Sequence, residues 1–236
     1  MPYIVYRSIV SLLFDPKGSQ RFIQDVLNAR DLESEDPLLG SVYIQSLLKH
    51  SDETDIQIVG SYYSIHTGET CNLLELASLS YIMKALKPQA IFEIGTFTGK
   101  TTRILALNAP ANSNIFTLDL SLDQVNHDTG EAFRNTAESK RITQLYGDSQ
   151  TFDFSPWYNK CDFVWVDGCH DYRHVICDSL NAFKLCRPGG WIAWHDYRHT
   201  AWWSGVTRCV CEMHKSYPGL VHIKGTTIVV LPGKDS

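Results

Sequence analysis

Ile91-Phe92-Glu93-Ile94-Gly95-Thr96-Phe97-Thr98-Gly99-Lys100-Thr101-Thr102 is the stretch that decides the fold. An apolar run ends in an acid, a short glycine turn follows, and a helical pattern then begins. That is a strand running into a helix through a loop with little side-chain bulk. Such a loop lets a nucleotide-like ligand approach the backbone closely at the carboxyl end of a parallel strand.

Outward from this stretch the pattern is regular. Asn72 with Glu75 three residues later is a capping-box-like start for a helix through Leu86, which Lys87-Pro88 ends. Strand 90–95, helix 98–108, strand 114–119, a helix near 130–138, strand 142–146, strand 161–166, helix 171–186, strand 190–195 and a helix near 203–215 follow. Arg187-Pro188-Gly189-Gly190 reads as a helix stop and turn. This alternation predicts an α/β fold: a doubly wound, mostly parallel, seven-stranded sheet. Leu220 to Lys224 and Thr226 to Leu231 are β-rich around Gly225 and read as a terminal antiparallel hairpin at the sheet edge.

Residues 1–71 lack the alternation and read as a helical N-terminal appendage to a domain at 72–236. Gly18 to Arg30 and Asp36 to His50 have helical spacing, and Ile56 to Ile65 reads as extended. The appendage packs on the core, covers the site or joins two subunits in a homo-oligomer. The whole chain has 236 residues, 44% hydrophobic and 20% charged, as in ordinary globular proteins. A net charge of −5 with no long basic run argues against a nucleic-acid partner. No apolar stretch is long enough to span a membrane, and Arg7 interrupts the apolar start in a way unlike a signal peptide. Seven cysteines without a paired CxxC point to reduced thiols in a cytoplasmic protein, with Cys209 and Cys211 as ordinary helix or core residues.

The glycine turn admits three readings. A dinucleotide fold asks for GxGxxG, and position 97 is Phe. A phosphate-binding P-loop of an NTPase asks for GxxxxGK[ST], and Gly95 to Thr101 falls one residue short, although Phe163 to Asp167 has the look of a Walker B strand. In the third reading, Glu93-Ile94-Gly95-Thr96-Phe97-Thr98-Gly99 resembles the E-x-G-x-x-x-G motif of the class I S-adenosylmethionine (SAM)-dependent methyltransferases, with their Rossmann-like fold. The resemblance implies SAM lying on Glu93, Gly95, Thr96, Phe97, Thr98 and Gly99. Asp119, ending the next strand, is placed for the ribose, and Asp148 and Ser149 resemble the family's adenine-contacting turn. Taken singly, an acid or serine after a strand is an ordinary turn residue.

Two further clusters, Asp167-Gly168-Cys169-His170-Asp171-Tyr172 and Trp194-His195-Asp196-Tyr197, follow predicted strands on the same rim. They resemble the metal-dependent O-methyltransferases, of the catechol and antibiotic-sugar O-methyltransferase type. The resemblance runs from about Leu73 to Leu231. It implies Asp167, His195 and Asp196 as metal ligands, Asp167 also lying against the cofactor, and His170 as general base. The family usually has a carboxylate where this chain has His195. Imidazole ligates Mg²⁺ poorly and Mn²⁺, Fe²⁺ or Zn²⁺ well. The ion is therefore a transition metal, or His195 does not ligate, or the site is metal-free. His174 and His199 are candidates for outer positions, Trp191 faces the core, and Trp202 and Trp203 either stack on an acceptor or pack. The implied activity is SAM-dependent methyl transfer to a hydroxyl of a small molecule. The alternatives are a P-loop NTPase and a SAM-fold protein with a hydroxylase-like or binding-only role.

Overall fold

A computed structural model describes residues 35–48, 55–59, 71, 73–198 and 203–233. Its strands are β1 (Ser41–Val42), β2 (Ala90–Ile94), β3 (Asn114–Asp119), β4 (Ile142–Tyr146), β5 (Cys161–Val166), β6 (Cys186–Trp194), β7 (Val221–Ile223) and β8 (Val229–Leu231). The helices are α1 (Ile44–Leu47), α2 (Leu73–Leu86), α3 (Lys100–Asn108), α4 (Tyr172–Leu185) and α5 (Trp203–His214). One sheet runs in the order β1-β7-β8-β6-β5-β2-β3-β4. Among the described residues only β8 is antiparallel to its neighbours, β6 and β7; every other described pairing is parallel. The expected seven strands and terminal hairpin are present. The hairpin is not the edge, because β1 pairs in parallel with β7 as an eighth strand.

Side chains on a strand alternate between faces, and this alternation divides the core in two. On one face Ile91, Phe163, Trp165 and Ala193 pack with Leu76, Leu79, Ile82 and Met83 of α2 and with Ile104 and Leu105 of α3. On the other, Phe92, Ile94, Val164, Val166 and Trp194 pack with Val175 and Leu185 of α4 and with Val206, Cys209 and Val210 of α5. A fully buried Leu, Ile or Phe contributes about 1.5–3 kcal/mol, so these layers fix the rim where the parallel strands end. Trp191 joins the first core as expected, and Cys209 is buried while Cys211 is half-buried. All seven cysteines are free thiols. Among the described residues no helix is long and apolar enough to cross a membrane.

Several local expectations are corrected. Residues 128–137 form turns, with a 3₁₀ turn at Glu138–Arg141, and not a helix. Their amides are used elsewhere: Gly130 N–H donates to the Phe97 carbonyl and Ala132 N–H to that of Thr98, while Gly130 and Asn135 have left-handed φ. Residues 36–48 contain a turn, β1 and the single-turn α1, because the Asp36 carboxylate captures the Leu38 and Leu39 amides and Gly40 turns the chain at φ +73°. α4 stops at Leu185 as expected, and Arg187 to Gly190 lies within β6 as an irregularity that shifts the register against β5, with Gly189 at φ +77°. Residues 55–59 form no regular element. The helix expected at Gly18 to Arg30, residues 60–65, Asn72, His199 and the side chains of Trp202 and Trp203 lie outside the described residues.

Candidate active site

The glycine turn leaves β2 at the centre of the rim. Gly95 has φ +101°, and a Cβ there would collide with the carbonyl group of Asp167 at the end of β5. Gly99 has φ +79°, and its Cβ would come within 2.6 Å of the Phe133 ring. Both positions demand glycine for conformation and for space. The loop amides point inward to Asp119: its Oδ2 accepts from Thr96 N–H at 3.0 Å and Phe97 N–H at 2.6 Å, and its Oδ1 accepts from Leu120 N–H. Gly95 N–H goes to the Leu118 carbonyl. A P-loop must offer such amides to phosphate. Here a carboxylate already holds them and would repel an anion, which argues against the NTPase reading.

Glu93 lies beneath the turn with no exposure. Its Oε2 accepts from Thr102 and Thr117 hydroxyls at 2.5 and 2.6 Å, and Thr117 Oγ1 in turn lies 2.6 Å from Thr96 Oγ1. Burial pushes its carboxyl up to about 8 despite these hydrogen bonds. Its Oε1 is buried without a partner, as is the Thr98 hydroxyl. Phe97 is left-handed at φ 49° and exposed, with its ring 4.6 Å from that of His127. Asp148 is exposed after β4 and caps the Gln150 amide, while the Ser149 carbonyl accepts from Asn181 on α4.

The second half of the rim is built by the ends of β5 and β6. His195 is buried among acids. Its Nδ1 lies 3.0 Å from Asp167 Oδ1 and 3.4 Å from Asp196 Oδ2, and its Nε2 lies 3.2 Å from Glu75 Oε2 and 3.5 Å from Cys71 Sγ. Burial pushes its ring down, but Asp196, Cys71, Asp167 and Glu75 outweigh this and hold it well above its ordinary value. Asp196, pushed up by burial, is nonetheless held well below the usual range by His195 and His170. His170 Nε2 lies 2.6 Å from Asp196 Oδ2, and this hydrogen bond raises its affinity for a proton. Asp167 Oδ2 accepts from the Trp165 indole at 3.3 Å. Asp196 itself sits at φ 61°, a conformation that aspartate tolerates better than most residues. A small cavity lined by Asp167, Gly168, Cys169, His170 and His195 opens beside them. His174 stands apart, 3.7 Å from Asp171 on α4.

These residues fit both groups that the resemblance implies. The turn from Gly95 to Gly99, whose Thr96 and Phe97 amides Asp119 already holds, and the orphaned Glu93 Oε1 suit a ligand with donors and no phosphate. Asp167, His170 and Asp196 each offer a donor atom within 4.8 Å of the others, and so do Cys71, Asp167 and His195. Ligand atoms bound at about 2.1 Å stand about 3.0–3.4 Å apart on an ion. The separations of His195 Nδ1 from the two aspartates fall in that range and serve as hydrogen bonds when no ion is present. The cofactor turn thus meets the candidate metal ligands directly, through Gly95 and Asp167.

Sequence reasoning missed Cys71, Glu75, Thr102, Thr117 and Trp165. Trp165 precedes Asp167 by two positions on the same face of β5, a spacing that would have found it. Thr102 lies nine residues after Glu93, inside the quoted stretch. Glu75 reads locally as the capping partner of Asn72, yet its carboxylate goes to Thr227 and His195. No local signal marks that.

Known proteins share this fold. Residues 92–197 match the model of a family described as a methyltransferase domain. A caffeoyl-CoA O-methyltransferase from Stellaria longipes is 28% identical over 129 residues, 52% of this chain and 51% of that protein. The chain thus matches about half the length of this curated relative. The O-methyltransferase from Bacillus cereus in complex with S-adenosylhomocysteine (SAH) superposes with a TM-score of 0.53 at 20% identity, covering 70% of this chain and 83% of that one. TomG of Streptomyces achromogenes, an O-methyltransferase of tomaymycin synthesis in complex with SAM, superposes with a TM-score of 0.52 at 20% identity, covering 89% and 95%. At such identities the superpositions speak for the fold. Residues 92–197 thus carry a methyltransferase domain, on the Rossmann-like fold of the O-methyltransferases that superpose on it.

Proposed function

We propose that the chain transfers the methyl group of SAM to a hydroxyl of a small molecule, assisted by a divalent transition metal. The observation that carries this is a shared rim. The turn after Glu93 and the acid–imidazole cluster of Asp167, His170, His195 and Asp196 are joined where Gly95 meets the Asp167 backbone.

When bound, SAM supplies a methyl group on a cationic sulfonium. The chain's residues hold it and choose its direction. The turn from Gly95 to Gly99 holds the cofactor's amino-acid and ribose parts, and Asp119 keeps the loop rigid while facing the ribose. Asp148 and Ser149 face the adenine. A rigid, pre-formed cradle saves the ordering entropy of a flexible one and sets the in-line angle.

Asp167, His195 and Asp196 would hold the metal, which supplies a Lewis acid that lowers the acceptor hydroxyl's pKa. His170 takes the acceptor proton at Nδ1 while Asp196 fixes the ring through Nε2. The free thiols support a reducing, cytoplasmic setting.

Incubation with labelled SAM and a panel of catechols and hydroxylated sugars tests the proposal. Label on an acceptor oxygen is the expected result. SAH binding without turnover on any acceptor, unchanged in His170→Ala, would favour the binding-only or hydroxylase-like alternative.

A further inference from the structure

Glu75 is buried, and its carboxyl group meets both His195 and Thr227. It lies in the first turn of α2, and its two oxygens are divided between two distant elements. Oε1 accepts from the backbone N–H of Thr227 at 2.8 Å and from its hydroxyl at 2.7 Å, just before β8. That pair locks the carboxylate plane. Oε2 is thereby presented to Nε2 of His195 at 3.2 Å. Cys71 Sγ is the other described neighbour of Nε2, at 3.5 Å, and a thiol is a weak acceptor. The opposite ring nitrogen, Nδ1, faces the two aspartates at 3.0 and 3.4 Å.

We propose that Glu75 is a positioning residue for the metal: by accepting the Nε2 proton of His195, it leaves Nδ1 as the nitrogen that ligates. This rests on the metal-assisted reading above. A neutral imidazole has one N–H and one lone pair, and the partner of one nitrogen decides the role of the other. A carboxylate can only accept, so the proton stays on Nε2. The lone pair then points from Nδ1 between Asp167 and Asp196. An ion arriving there displaces the proton that Nδ1 holds in its absence, and that proton leaves to solvent. The arrangement gives His195 a ligand's role in place of a carboxylate. It selects Zn²⁺ or Fe²⁺ over Mg²⁺, because imidazole suits the former.

Glu75→Gln tests this with little change of shape. The glutamine oxygen still accepts from Thr227, and its amide then donates toward Nε2. That forces the proton of His195 onto Nδ1, where an ion cannot bind. Zn²⁺ affinity, read by competition with a chelating dye, should fall about 10–100-fold, the usual effect of losing an outer partner. SAH affinity by calorimetry should not change. Nitrogen-15 spectra of histidine-labelled, zinc-loaded wild type should show His195 protonated at Nε2. Thr227→Val removes one of the two bonds that hold the carboxylate plane, and its loss of Zn²⁺ affinity should be smaller than that of Glu75→Gln. The inference is overturned if Glu75→Gln binds Zn²⁺ like the wild type, if both variants lose it equally, or if the loaded wild type is protonated at Nδ1. A wild type that binds SAH and no Zn²⁺ overturns this inference alone. A wild type that binds no SAH overturns the methyltransferase reading, and the zinc comparison still reports on Glu75.

Discussion

Gly95 and Asp167 touch through their backbones: the Asp167 carbonyl fills the space where a side chain at Gly95 would begin. The glycine turn and the acid that follows β5 are thus parts of one rigid junction, with Asp167 N–H also donating to the Ile94 carbonyl at 2.8 Å. Neither can move without the other. Gly95→Ala must relieve the clash and also hold an alanine at φ +101°. We expect a stability loss of at least about 2 kcal/mol, from left-handed strain plus backbone displacement. Urea unfolding measures it, and a variant as stable as the wild type would contradict this geometry.

Asp119 is expected to act first as the clamp of the turn. Asp119→Ala leaves the Thr96 and Phe97 amides without an acceptor. Hydrogen bonds to a charged acceptor contribute about 1.5–3 kcal/mol, so SAH binding should weaken about tenfold or more. Calorimetry on the variant checks this, and an unchanged Kd would show that the loop holds its shape without the clamp.

Glu93 gives the fold a pH dependence whose sign follows from its burial. Its carboxyl is raised from 4.5 to about 8 by burial. The folded state therefore binds the proton more tightly than the unfolded state. The stability this contributes is complete below about 4.5 and is lost as pH rises through about 8. Urea midpoints across that window should decline less in Glu93→Gln, where nothing titrates. Parallel curves for the two proteins would refute the assignment.

His170→Ala should lower kcat about 10²–10⁴-fold, the range for losing a general base, with SAH affinity intact. Steady-state kinetics on the acceptor found in the labelled-SAM panel would show this. A loss confined to KM would instead make His170 an acceptor-binding residue.

Much of this architecture is legible because burial on two faces writes period-two and period-3.6 patterns into the chain. Ile91 and Phe92 point to opposite cores, and the strand they begin was readable at once. The segment from 128 to 141 was not, because the Gly130 and Ala132 amides bond to the Phe97 and Thr98 carbonyls, in a loop far earlier in the chain. Local spacing carries no record of such a partner. β1 escaped for a similar reason: two residues make no pattern, and Ser41–Val42 becomes a strand only beside β7. In the site, Glu93, Gly95, Asp119, Asp167, His170, His195 and Asp196 were each visible at a strand end. Glu75 was not, since its meaning depends on residues 120 and 152 positions away.

Titration of SAH into the wild-type chain by calorimetry, with Mg-ATP as the parallel ligand, tests the central claim most directly. A single site with Kd of about 1 μM to 1 mM for SAH, and no heat from the nucleotide, is the predicted result. Silence with SAH at millimolar concentration, or a site for Mg-ATP in its place, would contradict the account.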